Sequence, residues 1–315
     1  MSPESYYGRP ILKAPVWSWE VPIYVFTGGL AGVSAGLGFG ARLAGNDELA
    51  RRAWAVGFAA MWASPLLLIL DLGRPSRFHH MLRVFKPTSP MSVGSWVLLG
   101  CGSATSVAAA HEALAWFPRP VARAAEAVAA ALGLPLATYT GVLVANTAVP
   151  IWHEARHELP FVFGGSAMAS AGAAAVIATP PRGAGPARRL TLAGALVEGT
   201  ASNVMERRLG ELGGPYREGR TRWLWTAAKT LSAVGALVAG LGGRNDRRLA
   251  VAGGAAVLAG SMLVRWSVFR AGSRSARLPE HTVKPQRERL AARTDGGASG
   301  LNAGDSTGAR LRGGA

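Results

Sequence analysis

The chain has 315 residues, of which 49% are hydrophobic and 41 are glycine, and its formal net charge is +16. Soluble domains dilute their apolar residues with more charge than this, so the composition favours a membrane protein. The single cysteine, Cys101, excludes an internal disulfide and a cysteine-ligated iron–sulfur cluster held by this chain alone.

Eight apolar segments are long enough, or nearly so, to cross a bilayer as helices, which takes about 20 mostly apolar residues. We predict spans at residues 21–44, 51–71, 92–117, 131–151, 160–181, 189–206, 223–242 and 248–269. Stretches such as GGLAGVSAGLGFG are rich in small residues, which let helices pack closely in lipid. The prediction is an all-α integral membrane bundle over 21–270, between an N-terminal interfacial segment at 1–20 and a disordered basic tail at 271–315.

The orientation in the cell membrane is predicted from positive charge near the spans. The N-terminus has no evident signal peptide, so the first span is expected to stay in the multi-pass chain. Arginine and lysine are almost balanced between the loops of the two sides, but the tail adds many more. Both termini are therefore predicted to be cytoplasmic, with the tail contacting anionic membrane lipid and not nucleic acid.

The histidines do not indicate a haem or metal site. A membrane b-type haem needs two histidines that face each other within spans, and only His111 falls inside a predicted span. The stretch WHEARHE at 152–158 contains the His-Glu-x-x-His pattern of zinc peptidases, from His153 to His157, and this pattern indicates a zinc site only where both histidines lie on one face of a helix. A short interfacial helix or loop is the preferred interpretation of this stretch.

Two carboxyl groups fall within predicted spans, Glu112 near the end of the third and Glu198 near the middle of the sixth. An ionisable group at membrane depth is costly, so it is usually paired or functional. Pairing with an arginine, or another form of structural satisfaction, is the preferred interpretation of Glu112. For Glu198, structural satisfaction and a place in a proton path both remain open.

Three stretches carry dispersed polar motifs: WSWEVPIYVFTGGLAG, DLGRPSRFHHMLRVFKPTSPMSVGSW and YTGVLVANTAVPIWHEARHELPFVFGGSAMAS. The second puts Asp71 and Arg74 where a span emerges, and Pro75 prevents the helix from continuing normally. The third opens on Tyr139, whose hydroxyl needs a partner if it is buried. In their order and spacing these stretches resemble the signature regions of the NrfD/polysulfide-reductase membrane-subunit family, over about the first 180 residues.

The resemblance implies an eight-helix subunit without haem or iron–sulfur cluster of its own that binds a quinone, either menaquinone or ubiquinone. It also implies an iron–sulfur partner protein, joined to a molybdopterin or hydrogenase-type catalytic subunit, with enzymatic activity only in that complex. Such a subunit exchanges electrons between the iron–sulfur partner and the quinone pool of a respiratory chain. The partner is expected to dock over residues 71–91 and 150–160, which follow even-numbered spans and so share a side.

The resemblance also assigns residues by motif position. Tyr24, Asp71 and Tyr139 are the implied quinone contacts, and Glu20 is a weaker one. Tyr139 and Asp71 are expected to take part in the reaction, Tyr139 as a hydrogen-bond donor and Asp71 as a proton relay. Proton translocation through Glu112 or Glu198 is an open extension. The alternative function is a passive anchor or a small-molecule or proton transporter, although the two halves show no clear self-similarity.

Overall fold

The computed structural model describes residues 12–13, 15 and 17–283, and this part of the chain is helical, without strands. The predicted all-α bundle of about eight helices is confirmed. The long helices are α1 (Glu20–Leu43), α2 (Asp47–Leu70), α3 (Pro90–Leu114), α4 (Arg119–Ala145), α6 (Leu159–Ala178), α7 (Gly185–Leu209), α9 (Gly219–Gly240) and α10 (Arg247–Ser275). Two short helices, α5 (Pro150–Glu154) and α8 (Gly214–Arg217), and 3-10 segments at Pro75–Leu82, Gly210–Gly213 and Gly242–Arg244 lie in the connections.

Short connections make successive long helices antiparallel, and this defines two sides of the bundle. The terminus side holds the start of α1, the connections 71–89, 146–158 and 210–218, and residues 276–283. The opposite side holds the connections 44–46, 115–118, 179–184 and 241–246. Helices α1 and α6 are the most buried, and α6 packs against α1, α4, α7 and α10.

Seven of the long helices in the described part of the chain are long and apolar enough to cross a membrane, and α7 is the exception. It carries Arg188 and Arg189 near its start, Arg207 and Arg208 at its end, and Glu198 between them. Its inner face nevertheless packs closely on α6, because glycines let the two backbones approach. A Cβ at Gly165 of α6, for example, would lie 2.5 Å from the backbone nitrogen of Glu198. Seven such helices, together with this packing, indicate a multi-pass membrane protein.

Two predicted helices have the wrong bounds. The fourth helix begins at Arg119 and ends at Ala145, so the segment 118–130, predicted to be a loop, is mostly helix, and Tyr139 lies near the end of α4. The charged residues Arg123 and Glu126 hid this start from a search for apolar windows. The last helix continues to Ser275, past the predicted limit at 270.

The start of the predicted disordered tail is folded against the bundle. Ala276 and His281 are buried, and the Ser275 hydroxyl hydrogen-bonds to His281 Nδ1 at 3.0 Å. The rest of the tail, residues 284–315, lies outside the described residues, as do residues 1–11, 14 and 16 of the N-terminal segment.

Candidate functional site

A small carboxyl cluster lies at the surface of the terminus side. Glu20 opens α1, and Asp71 is the residue that caps the end of α2. Ser18 joins them, because its hydroxyl donates to Asp71 Oδ1 at 2.8 Å and also hydrogen-bonds to Glu20 Oε2. The structure thus brings together two acids that are 51 positions apart in the sequence, through a serine that the sequence analysis did not identify.

A tyrosine pair lies one helical turn deeper. Tyr24 follows Glu20 by four residues on α1, so the two share a face and are about 6 Å apart along the axis. The Tyr24 hydroxyl hydrogen-bonds to the Tyr139 hydroxyl of α4, and Tyr24 is buried while Tyr139 is partly buried. A phenol can both donate and accept. A ligand carbonyl could therefore replace either tyrosine as the other's partner.

Gly94 of α3 fixes the position of the Tyr139 ring. A Cβ at residue 94 would lie 2.6 Å from Tyr139 Cζ, so the ring packs directly on the α3 backbone. Helix α3 starts at Pro90 with Ser89 as its N-cap, whose side chain accepts from the Ser92 N–H. Gly94 could have been noticed in the sequence because it lies inside a helical segment. A glycine there lowers helix propensity, so it is usually present because a neighbouring group packs against the backbone.

The same end of α3 borders an apolar cavity of about 580 Å³. It lies between α2, α3 and the 3-10 segment, and Ser95, next to Gly94, is in its wall. The other wall residues are Met61, Trp62, Pro65, Leu66, Leu68, Ile69, Phe78, Met81, Leu82, Leu98, Leu99, Gly102, Ser103 and Ser106. The tyrosine pair and the cavity are thus separated by the first turns of α3. A pocket of this size and polarity suits an apolar chain.

The connection 71–89 presents positive charge above this cavity. Its 3-10 segment has no buried residue. The exposed basic side chains and histidines of the connection are Arg74, Arg77, His79, His80, Arg83 and Lys86. An acidic protein surface would be complementary to this patch.

The stretch WHEARHE is a structural element of the terminus side. Trp152 is buried, donates from Nε1 to Val268 O at 2.9 Å, and stacks on Trp17 with ring centroids 5.4 Å apart. Helix α5 ends at Glu154, so His153 and His157 do not share a continuous helix. Among the described residues no group of three potential ligands could hold a metal ion.

The structure separates Glu112 from the tyrosine pair, because Glu112 lies on the opposite side. There it pairs with Arg42, which also binds Asp47 at 2.7 Å and lies 3.5 Å from Glu126. In this structure, therefore, Glu112 is paired with an arginine. Glu126 was missed because its position was predicted to be in a loop.

Glu198 is buried near the middle of α7, beside the hydroxyl groups of Ser166 and Ser232. The charged group that faces it is Arg265 of α10, whose side chain is fully buried. The sequence analysis did not single out Arg265, although an arginine in an apolar span is a signal of this kind of site.

In a comparison with protein families, the model described as "Polysulphide reductase, NrfD" matches residues 11–188. The chain belongs to the NrfD family. The matched region contains the carboxyl cluster, the tyrosine pair and the whole of α1 to α6, whereas Glu198 and Arg265 lie beyond it. A search of curated proteins finds no matching relative.

Proposed function

We propose that this NrfD-family chain is the quinone-reactive membrane subunit of a multi-subunit respiratory oxidoreductase. It would pass electrons between an iron–sulfur partner protein and the menaquinone or ubiquinone pool, and the partner would connect to a catalytic subunit. The observation that carries the proposal is the Tyr24–Tyr139 hydrogen bond beneath the Ser18-linked carboxyl groups. Family membership supports it independently.

The residues of the site suit the chemistry of a quinone. When bound, a quinone accepts two electrons and two protons. Tyr24 and Tyr139 can donate hydrogen bonds to its carbonyl oxygens, and the apolar cavity beside α3 can take its isoprenoid chain. Asp71 and Glu20, one turn nearer the water, can deliver protons toward the phenols through an intervening water, because a carboxyl group can act as a general acid or base directly or through one water.

The iron–sulfur partner would dock on the terminus side. Electron transfer requires a short distance between the partner's last cluster and the quinone, and the tyrosine pair lies about one helical turn below that surface. The exposed basic connection 71–89 and the stretch 150–158 would form the docking surface, with the termini in the cytoplasm. Cross-links from the partner to 71–89 are expected, and cross-links to 115–118 on the opposite side would contradict this placement.

The test compares Tyr139→Phe with Tyr216→Phe in the chain purified with its associated subunits. Both changes remove one tyrosine hydroxyl and little volume, but Tyr216 lies in α8, outside the site. Tyr139→Phe should weaken quinone binding by about 1–3 kcal/mol if its hydrogen bond is buried, whereas Tyr216→Phe should leave binding unchanged. Asp71→Asn should slow quinone-dependent electron transfer more than it weakens binding, since it keeps the shape and loses the titrating group.

The proposal is rejected if Tyr139 and Asp71 prove to have no effect on quinone binding or turnover. Wild-type quinone binding and turnover in both Tyr139→Phe and Asp71→Asn, across pH and at limiting quinone, would assign these residues a structural role. Purification without any iron–sulfur subunit would then favour the alternative, a passive anchor or a transporter.

A further inference from the structure

Polar side chains form a column between α7 and α9, in the half of the bundle that the quinone proposal does not use. On α7, Glu198, Ser202 and Glu206 follow one another at intervals of four residues, so they lie on one face about 6 Å apart. On α9, Lys229 and Ser232 face them: Lys229 Nζ donates to Glu206 Oε1 at 2.5 Å, and Ser232 lies beside Glu198. The column starts at the terminus side, where α7 ends.

Burial increases along this column. The side chains of Glu206 and Lys229 are 23% and 30% exposed, whereas Ser202, Ser232 and Glu198 are buried. The outer end therefore reaches the protein surface near the terminus-side end of α7, and the inner end is enclosed by protein.

The enclosed end carries polar atoms without hydrogen bonds of ordinary geometry. These are Ser202 Oγ, Ser232 Oγ and Glu198 Oε2. Buried polar atoms are nearly always bonded to protein or to ordered water. Water enters an interior site when several polar groups converge there, and three neighbouring atoms of this kind satisfy that condition.

Arg265 marks the inner end of the column. It donates to Ser261 O at 3.0 Å, to Phe163 O at 3.2 Å and to the Ser166 hydroxyl. Among the described residues, Arg265 is the charged group that acts on Glu198, and the facing groups of α6 and α9 are the Ser166 and Ser232 hydroxyls. The change in charge when Glu198 gains a proton would therefore act electrostatically mainly on Arg265.

The next layer, toward the opposite side, is apolar. Ala169, Ala173, Ala236 and Val257 form a buried cluster there. The backbones of α9 and α10 also meet in this layer, since a Cβ at Gly235 would lie 2.8 Å from Gly253 O. The buried hydroxyls beside this layer, Ser170 and Thr191, donate to backbone oxygens of their own helices, Ala167 O and Ala187 O, so they do not extend the column of unbonded polar atoms.

We propose that α7 and α9 enclose a water-filled half-channel that connects Glu198 to the aqueous phase on the terminus side alone. Glu198 is then a proton-loading site: it takes a proton from water on that side and returns it by the same route. The half-channel itself stands apart from quinone chemistry. Only the coupling of its proton to turnover rests on the proposed function.

The test measures the access of silver ions, which are small enough to follow water, to single cysteines in the full chain in proteoliposomes. The background is Cys101→Ala, and the test variants are Ser202→Cys and Ser232→Cys. Ser170→Cys is the matched control, because Ser170 is equally buried on α6 next to the apolar layer and its hydroxyl donates to Ala167 O at 3.1 Å. Thiols that escape silver are counted by maleimide labelling after denaturation.

The side of access is read against two exposed reference positions, Arg220→Cys on the terminus side and Arg244→Cys on the opposite side. Ser202→Cys and Ser232→Cys should react from the Arg220 side at least an order of magnitude faster than Ser170→Cys. Equal rates at the three buried positions, or faster reaction from the Arg244 side, would overturn the proposal. Because no quinone is needed, this failure is distinct from failure of the proposed function.

Discussion

Gly94→Ala tests whether the position of the Tyr139 ring matters for quinone binding. The added Cβ would lie 2.6 Å from Tyr139 Cζ, well inside van der Waals contact. The α3 backbone is held by its neighbours, so the ring must move. Movement of the ring takes the Tyr139 hydroxyl away from Tyr24, its hydrogen-bond partner.

The expected magnitude has two parts. Overpacking by one methyl group in a close-packed interior costs about 1–3 kcal/mol of stability. Loss of the tyrosine hydrogen bond adds roughly 0.5–1.5 kcal/mol. A quinone that depends on the same two hydroxyls should then bind about tenfold or more weakly, since 1.4 kcal/mol corresponds to a factor of ten.

The assay is quinone binding to the purified chain, with thermal unfolding measured on the same samples. Gly36→Ala is the matched control, because a Cβ at Gly36 of α1 would have no atom within 4 Å. It should bind quinone normally and unfold at the wild-type temperature or slightly above, since alanine favours helix over glycine. Normal binding by Gly94→Ala would refute the placement of the quinone head group at the tyrosine pair.

Three further results are expected. Arg42→Ala should lower the free energy of unfolding by about 3 kcal/mol because it leaves the buried carboxyl group of Glu126 and the half-buried one of Glu112 without this partner. Glu112→Gln should cost less, since Arg42 keeps other acidic partners; thermal unfolding in detergent measures both. By the same assay, Trp152→Phe should cost roughly 0.5–1.5 kcal/mol through loss of its Nε1 hydrogen bond to α10. Burial raises the pKa of Tyr216 above its usual value. The stability that the neutral Tyr216 side chain contributes is therefore complete below the unfolded pKa of about 10 and decreases as the pH rises above that value. Tyr216→Phe should therefore lose less stability than the wild type when the pH is raised above about 10 in a denaturation series.

The number and order of the long helices could be predicted from the sequence, because each apolar run is close to the length that a bilayer requires. The start of α4 could not, since Glu126 is compensated by Arg42, a residue 84 positions earlier in the sequence. The site shows the same limit. Tyr24, Asp71 and Tyr139 could be named from motif positions, but Ser18 and Gly94 act through contacts between distant segments, which a reading of local patterns does not reveal.

The two halves of the bundle meet where Arg265 reaches α1. Its guanidinium lies 5.6 Å from the centre of the Phe26 ring, and Phe26 follows Tyr24 by two residues on α1. Arg265 is also the charged group that acts on Glu198. A change in the protonation of Glu198 therefore acts on a guanidinium that is packed against α1, the helix that carries Tyr24. Through Arg265, the proposed proton site and the proposed quinone site contact the same helix.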